Sequence, residues 1–426
     1  MDKDTIKIEI AEKNGGRGSF DPGMAQGLVL IALAWVAPAA AVVIAPVLPT
    51  IAREFRNVPA ADMKIALVAT GPALLVALLA VPYGFLADKV GRRKVLLAAL
   101  FVYGAVGMAP VLLSSLDAIV ASRFAVGLAE AAVMTCSTTL IGDYFQGRRR
   151  ERWLAAQAGL APLAAVCLVS LGGTLGAFGW HTPFLVYAWG WILIVPVLLL
   201  LREPRPEPAA HPGEMVAAAT QPFGWGRPIG ISIVVMLSMI AFMVTVVQFS
   251  FLVTERGMSA PASIGLWSAL ITLANPAGSV IFSLMKGRPA AKLGLAYALF
   301  TAGFFLMSLV PTVAAAIAGG VIANLGAGIL LPTAITWLLS SVPAAMRGRG
   351  SGLFTAANFL GQFLGPLAIL ALVKTTGSLS HAILAVGAAC TLAVGASVAS
   401  IVVPLRSTKP PRKHRHDPSP QGRSQQ

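Results

Sequence analysis

The sequence predicts an all-α membrane protein in which twelve transmembrane helices form two six-helix bundles. Of its 426 residues, 57% are apolar and only 12% are charged, and the mean hydropathy is +0.79. Soluble domains carry about 25% charged residues, so a soluble fold could not hide this much apolar surface. Apolar stretches of about 20 residues, long enough to cross roughly 30 Å of hydrocarbon as a helix, recur along the chain. Between them the basic residues gather in short clusters.

The predicted helices are numbered 1 to 12 in chain order. They cover residues 26–52, 63–87, 94–114, 117–141, 153–177, 182–201, 228–253, 261–285, 290–310, 312–340, 348–373 and 380–404. A polar, proline-rich stretch between helices 6 and 7 cannot be buried in the membrane and is predicted to be a linker. The five predicted regions are a tail at 1–24, a first bundle at 25–201, a linker at 202–228, a second bundle at 229–404 and a basic tail at 405–426.

The distribution of positive charge predicts the orientation of the chain. Most of the 32 Lys and Arg residues lie in the two tails, in the linker and in the loops after helices 2, 4, 8 and 10. Positive charge in short loops marks the cytoplasmic side, so we expect a multi-pass protein of a bacterial inner membrane with both termini in the cytoplasm. The net charge of +15 does not indicate nucleic acid, because no basic domain could bind a phosphate backbone.

The two halves of the sequence resemble each other weakly. Aligning Ala99–Phe101 with Ala298–Phe300 also pairs Gly127 with Gly326. The same alignment places the loops after helices 2 and 4 on the loops after helices 8 and 10. Transporters use such a parallel duplication of six-helix units to build a site at the membrane midplane and to rock around it.

The sharpest local signal is the loop between helices 2 and 3, which reads GFLADKVGRRK from Gly84 onward. Gly84 lets two helices approach closely, and Gly91 permits a tight turn. Asp88 can cap the start of a helix while it pairs with Arg92 or Arg93. A basic loop that only sets the topology is the alternative interpretation.

This loop closely resembles the signature of the major facilitator superfamily of secondary transporters. The resemblance implies the twelve-helix fold of that superfamily and transport by alternating access. It also implies that Asp88 and Arg92, together with the glycines and Arg93 of the loop, latch the cytoplasmic ends of the two halves in the outward-facing state. By position, the latch faces the start of helix 11 near Gly348–Gly350.

Helix 4 carries two charges inside the predicted membrane span, Arg123 and Glu130, in a run similar to an R-x-x-x-G element of the same superfamily. Charges in the bilayer are costly and are therefore functional candidates. The seven-residue spacing places them on one helical face, about 10 Å apart along the axis. Glu130 is the only acid near the middle of any predicted helix, so we predict that it couples protons and that Arg123 regulates it electrostatically. Permanent pairing of Glu130 with an arginine or another polar group is the alternative.

Helices 5 and 6 carry partial likenesses to the drug:proton antiporters of the superfamily. Their helix 5 element, G-x-x-x-G-P-x-x-G-G, is matched by Gly172 and Gly173, but Leu168 and Val169 stand where Gly-Pro would be. The segment Gly179–Phe184 reads GWHTPF and resembles a G-W-R-x-P-F element, with histidine in place of arginine. This branch of the superfamily is thus the nearest in motifs, with half of the helix 5 pattern missing.

Few polar residues remain to line a substrate cavity. The predicted set is Gln248, Asn275, Asn324, Asn358, Gln362 and Trp35. Aromatic residues and methionines surround these positions in the sequence, which favours a lipophilic or weakly polar solute over a sugar or a multiply charged anion. Helix packing or contact with lipid is the alternative role for the aromatic members.

We therefore expect a monomeric transporter that moves a small solute by alternating access, with protons as the coupling ion and amphipathic compounds as the exported solute. A uniporter or symporter of a small organic metabolite, including a weak acid neutralised by Arg123, is the alternative. No histidine joins an acid-rich cluster and no nucleotide-binding P-loop is present. An enzyme, a metal site, a cofactor or an ATP-driven pump is accordingly not expected.

Overall fold

The computed structural model describes residues 22–204, 224–343 and 346–402. Within these ranges the secondary structure is helical, with no β-strand. Most of the predicted N-terminal tail, most of the linker and the whole tail at 405–426 lie outside the described residues. The predictions made for those segments stay predictions.

Eleven helices in the described ranges are long and apolar enough to cross a membrane. They are α2 (Ala61–Val90), α3 (Arg92–Val111), α4 (Leu116–Tyr144), α5 (Gly147–Gly176), α6 (Thr182–Leu200), α7 (Gly226–Glu255), α8 (Pro261–Leu284), α9 (Pro289–Leu309), α10 (Val313–Ser340), α11 (Arg347–Thr376) and α12 (Leu379–Ala399). Each corresponds to one predicted span. Several extend past their predicted limits, because the charged residues that end an apolar run, such as Arg148 to Arg150 before helix 5, continue the helix outside the hydrocarbon.

The first predicted span is present but is not one helix. It consists of three short helices, Met24–Leu33, Val36–Val42 and Leu48–Glu54, with a 3-10 turn between the second and third. We call this interrupted span α1. Pro46 lies in the 3-10 turn, and proline breaks helices because it lacks a backbone N–H and clashes with the preceding turn. With α1 counted, the predicted twelve-helix fold is confirmed.

The first helix of the second half is also interrupted. Within α7, residues Val244–Gln248 form a π-helix, a geometry that is rare and is frequently found at functional sites. The alignment of the two halves pairs Ala45, at the 3-10 turn of α1, with Val244. The Val36–Val42 piece of α1 contacts this π-helix, so the middle piece of the interrupted α1 packs against the interruption of α7.

The buried apolar residues form two main cores. One is drawn from α1 to α6, with Met243 and Val247 of α7 joining it, and the other is drawn from α7 to α12. Packing within the first half is dominated by α2, α3 and α4, and packing within the second half by α8, α9, α10 and α12. Between the halves the extensive contacts are α5 with α8 and α2 with α11. The fold is therefore two helical bundles joined along two pairs of helices.

The tightest contacts between the halves lie far from the basic loops. We call the helix ends at the loops after α2, α4, α8 and α10 the basic end, and the other end the opposite end. Toward the opposite end, a Cβ atom built on Gly173 of α5 would lie 2.6 Å from the Cα atom of Gly265 of α8. Backbones from the two halves thus touch at Gly173 and Gly265. Beside the other pair of helices, the Thr70 hydroxyl of α2 donates a hydrogen bond of 3.3 Å to the carbonyl of Phe363 in α11.

At the basic end the picture differs. A Cβ atom built on Gly84 of α2, or on Gly348 or Gly352 of α11, would have no heavy atom of another helix within 4 Å. These positions lie where the predicted latch would bring α2 and α11 together. In the described part of the chain the halves are therefore closed toward the opposite end and apart at these basic-end glycines.

Candidate functional site

The predicted mid-membrane acid lies between the two halves. Glu130 of α4 is 1% exposed, and its Oε2 atom has no hydrogen-bond partner among the described residues. It lines a cavity of about 20 Å³ together with residues of both halves. The other lining residues are Ala41, Ala69, Thr70, Pro72 and Ala73 of the first half, and Met243, Phe359 and Gln362 of the second.

The size and lining of this cavity decide what it can hold. A volume of about 20 Å³ admits a single water molecule, since one water needs roughly 10–15 Å³ by the same measure. A buried carboxylate without a partner is costly as an anion, so a proton or a cation is its natural counterpart. Because residues of both halves line this cavity, any change in how the halves pack also changes what reaches this carboxylate.

Arg123 lies two helical turns before Glu130 on α4. It is completely buried, and groups other than Glu130 hold its guanidinium. Its Nε atom donates to the carbonyl of Val68 at 3.2 Å, and its Nη2 atom donates to the Tyr187 hydroxyl at 2.6 Å. The guanidinium carbon lies 4.8 Å from the centre of the Tyr187 ring and 5.8 Å from that of Phe184. The ion pairs found among the described residues do not include one between Arg123 and Glu130. The alternative, in which Glu130 permanently pairs with an arginine or another polar group, is not decided by these contacts.

Two buried tyrosines complete this polar cluster, and sequence reasoning missed both. The rings of Tyr103 and Tyr187 lie 5.1 Å apart between centroids. Their hydroxyl groups donate to the carbonyls of Val36 and Ala39, each at 3.3 Å. Both carbonyls belong to the short middle piece of α1, which also supplies Ala41 to the Glu130 cavity. The sequence did offer one indication that these tyrosines belong to a polar cluster, because the hydroxyl group of a tyrosine in an apolar span needs a hydrogen-bond partner.

The predicted cavity residues divide between two cavities. Gln362 of α11 lines the Glu130 cavity. Gln248, in the π-helix of α7, instead lines a larger cavity of about 250 Å³ nearer the opposite end. The sequence predicted one cavity, and the structure places these two side chains in different ones.

The other four predicted cavity residues reach neither cavity. Asn275 and Asn324 are 7% and 2% exposed inside the second bundle, and the Asn324 amide donates to a carbonyl one turn earlier in its own helix at 3.1 Å. Asn358 is half-buried on α11. Trp35 stacks on Trp189 of α6 with 6.3 Å between ring centroids. Local hydrogen bonding and aromatic packing account for Asn324 and Trp35, and their place in the substrate cavity is not supported.

The signature loop is held within the first half. Gly91 has φ = +107°, a conformation that favours glycine and makes the tight turn between α2 and α3. Arg92 pairs with Asp88 one turn earlier at 3.0 Å and also forms an ion pair with Asp143 at the end of α4. Among the described residues this loop does not touch the start of α11. The predicted latch contact belongs to a state closed at the basic end, so it stays a prediction.

Glu203, directly after α6, also fixes the signature loop. Its carboxylate accepts hydrogen bonds from the backbone N–H groups of Arg92 at 2.5 Å and Arg93 at 3.0 Å, and thereby caps the start of α3. The Arg93 guanidinium donates to the carbonyl of Leu198 at 2.7 Å. Sequence reasoning missed Glu203 because it lies at the beginning of the predicted linker, far along the chain from the loop it caps.

Comparison with known proteins gives consistent likenesses. A family model described as Major Facilitator Superfamily matches residues 30–366 and also 231–424. The chain is 27% identical over 392 residues to the multidrug efflux pump LfrA of Mycolicibacterium smegmatis, an alignment covering 76% of this chain and 75% of that protein. It is 31% identical over 156 residues to the 4-hydroxybenzoate transporter PcaK of Pseudomonas aeruginosa, covering 34% of this chain and only 33% of that protein.

Solved structures share the fold. A D-xylose-proton symporter has a TM-score of 0.71 at 15% identity, over 88% of this chain and 96% of that chain. A bacterial homologue of the human lysosomal transporter Spinster, in an inward-facing and occupied conformation, has a TM-score of 0.69 at 16% identity, over 90% of this chain and 98% of that chain. At these identities the likeness concerns the architecture alone.

Proposed function

The chain belongs to the major facilitator superfamily, and from that premise we propose that it exports small amphipathic compounds from a bacterial cytoplasm in exchange for protons, by alternating access. The observation that supports the proposal is the buried Glu130 carboxylate, whose Oε2 atom has no hydrogen-bond partner among the described residues and which lines a cavity shared by both halves. The likeness to LfrA, described as a multidrug efflux pump, supports the direction and the class of solute.

In the proposed cycle the halves, 25–201 and 229–404, rock about the contacts of α5 with α8 and of α2 with α11. Closure toward the opposite end leaves Glu130 reachable from the basic end, which we take as cytoplasmic. Reopening at the opposite end exposes it to the other side. Exchange requires that a bound proton and a bound solute each disfavour binding of the other. The protein then carries a proton in one direction and solute in the opposite direction. The interrupted α1 and α7, which meet beside the Glu130 cavity, are the segments best placed to deform during this motion.

A second candidate function is uptake of a small organic acid, which the partial likeness to the 4-hydroxybenzoate transporter favours. Arg123 would then be the counter-charge. Its guanidinium, however, is fully buried against Tyr187 and Phe184, and Arg123 lines neither described cavity. Export of amphipathic compounds therefore accounts better for the geometry.

Reconstitution in liposomes tests the proposed function directly. An imposed pH gradient is expected to drive accumulation of a lipophilic quaternary ammonium dye, which carries a permanent charge, above its level in protein-free liposomes, and a protonophore is expected to abolish it. The same vesicles are offered 4-hydroxybenzoate. Accumulation of the benzoate, or dye movement that ignores the pH gradient, would favour the second candidate.

The first prediction concerns orientation. Single cysteines at 374 and 381 are expected to react with an impermeant maleimide in intact cells, whereas cysteines placed in the linker or either tail are expected to react only after permeabilisation. Cys136, Cys167 and Cys390 are first replaced. The reason is the concentration of Lys and Arg at the basic end. Labelling of the linker from outside would contradict the proposed topology.

The second prediction concerns the signature loop. Asp88→Asn is expected to slow transport about three- to tenfold while expression and solute binding stay unchanged. The reason is that the predicted latch pairs the Asp88 carboxylate in the state closed at the basic end, and losing an ion pair of about 1 kcal/mol makes that state less populated. Initial rates in liposomes measure the effect. Asp117→Asn is the matched control, since Asp117 pairs with Lys64 at 2.7 Å at the opposite end. Equal rates for wild type and Asp88→Asn would remove the latch role.

A further inference from the structure

The cavity of about 250 Å³ lies between the halves toward the opposite end. It is bounded by α1 and α2 on one side and by α7, α11 and the start of α12 on the other. We propose that this cavity binds organic cations that combine a positively charged amine with an apolar body, and that it is the release site of the exported solute. The proposal rests on the proposed function and narrows it to a substrate class.

Most of the cavity wall is apolar. Its aliphatic and aromatic side chains include Ile65, Val247, Phe251, Ile369, Leu370 and Val373. Such a wall favours the hydrocarbon part of a ligand through burial of apolar surface. The volume is at the small end for ligand pockets, which suits a compact aromatic or aliphatic molecule better than a large drug.

Three polar side chains give the cavity its chemical character. Gln248 is 9% exposed, lines the cavity and makes no hydrogen bond with any described residue. Asp62 of α2 and Glu255 of α7, both exposed residues, add one carboxylate from each half to the cavity lining. Neither acid takes part in an ion pair within the described ranges. The amide of Gln248 therefore keeps its donor and its acceptor available to a ligand in the cavity.

Among the described residues, no Lys or Arg lines this cavity. Two cations close to its carboxylates are held by other groups. Lys64 pairs with Asp117 at 2.7 Å. Arg256 interacts electrostatically with Glu255, but the hydrogen bonds of its guanidinium go elsewhere. They are donated to the carbonyl of Thr312, at 2.9 Å, and to that of Met307. The charged side chains that line the cavity are therefore two exposed carboxylates, and this lining favours a positively charged amine over an organic acid.

The position of the cavity links it to Glu130. On three helices, one residue lines the Glu130 cavity and the residue four positions away lines the larger one. The pairs are Thr70 and Ala66 on α2, Met243 and Val247 on α7, and Gln362 and Pro366 on α11. One helical turn rises about 5.4 Å, so the two cavities are stacked with a single turn between them. Opening that layer would join the Glu130 cavity to the release site.

The test compares three ligands that share one apolar body: 3-phenylpropylamine, 3-phenylpropanol and 3-phenylpropanoate. Calorimetric titration of the full chain in nanodiscs is expected to show the amine binding about tenfold more tightly than the alcohol, because each carboxylate contributes up to about 1 kcal/mol. The acid is expected to bind most weakly. Equal binding of amine and alcohol, or no binding of the amine, would overturn the proposal.

Paired variants assign the effect to the cavity. The double variant Asp62→Asn, Glu255→Gln is expected to lose about tenfold in amine affinity and to keep its affinity for the alcohol. Asp117→Asn combined with Glu151→Gln removes the same charge outside the cavity and is expected to stay within twofold of wild type. An unchanged affinity in the first double variant would overturn the site.

Transport separates this inference from the function on which it rests. If wild type binds the amine at the two carboxylates but a pH gradient moves it no faster than in protein-free liposomes, the proposed function fails and the binding site stands. If a pH gradient drives export while the cavity variant binds the amine as wild type does, the function stands and the site fails.

Discussion

Glu130→Gln is expected to reduce transport driven by a pH gradient to the level of protein-free liposomes while it leaves solute binding intact. The carboxylate is buried between the halves, and its Oε2 atom has no hydrogen-bond partner among the described residues. Glutamine keeps the shape of the protonated acid but can neither take up nor release a proton. The protein would then be fixed in one protonation state, and a pH gradient could do no work on it.

Two measurements separate lost coupling from lost folding. Solute exchange without a pH gradient is expected to persist in Glu130→Gln, and the dependence of solute binding on pH is expected to flatten. Asp117→Asn is the matched control, because Asp117 lies in the first turn of the same helix and pairs with Lys64 at the exposed opposite end. If Glu130→Gln accumulates solute as wild type does, coupling lies elsewhere and the uniporter interpretation becomes the better one.

The twelve spans could be predicted because each membrane helix satisfies its backbone hydrogen bonds within itself and must be apolar over a fixed length. The interruptions of α1 and α7 could not be predicted from the sequence. Pro72, Pro162 and Pro332 lie inside helices that stay continuous, so the proline in the α1 turn did not by itself indicate a break. The π-helix of α7 contains no proline at all.

The residue of the candidate site with an unusual chemical type could be predicted from the sequence, whereas the residues that tertiary packing brings next to it could not. Glu130 stands out in the sequence because a mid-span acid is costly. Its neighbours Thr70, Met243 and Gln362 come from three other helices, and no local pattern brings them together. Helical periodicity assigns Trp35 to one face of its own helix. It does not show that Trp189 of another helix packs on that face.

The remaining large effect is expected at the glycine contact between the halves. Gly173→Val is expected to slow transport at least about tenfold while expression and thermal unfolding stay close to wild type. A Cβ atom at this position would lie 2.6 Å from the Cα atom of Gly265 and 2.7 Å from the carbonyl oxygen of Pro261, both backbone atoms of the other half. Overpacking of this kind costs about 1–3 kcal/mol.

That cost is imposed on one conformational state and not on the fold. Apart from Met243 and Val247, each half has a buried core made of its own helices, so the strain is relieved when the halves separate toward the opposite end. A bias of about 1.4 kcal/mol changes the ratio of two states tenfold, which slows any cycle that must return through the closed one. A cysteine at Ala66, which is buried in the wall of the larger cavity, is expected to react faster with an external thiol reagent in Gly173→Val.

Two further variants show whether the contact itself is responsible. Gly265→Val places the same strain on the facing helix and is expected to reproduce both effects, since a Cβ atom there would lie 2.6 Å from the Cα atom of Gly173. Gly159→Val makes the same change in α5 where a Cβ atom would meet no heavy atom of another helix within 4 Å, so transport and Ala66→Cys labelling are expected to stay near wild type. Equal slowing by Gly159→Val would assign the effect to helix α5 alone, and the closed contact of α5 with α8 would not be a step of the transport cycle.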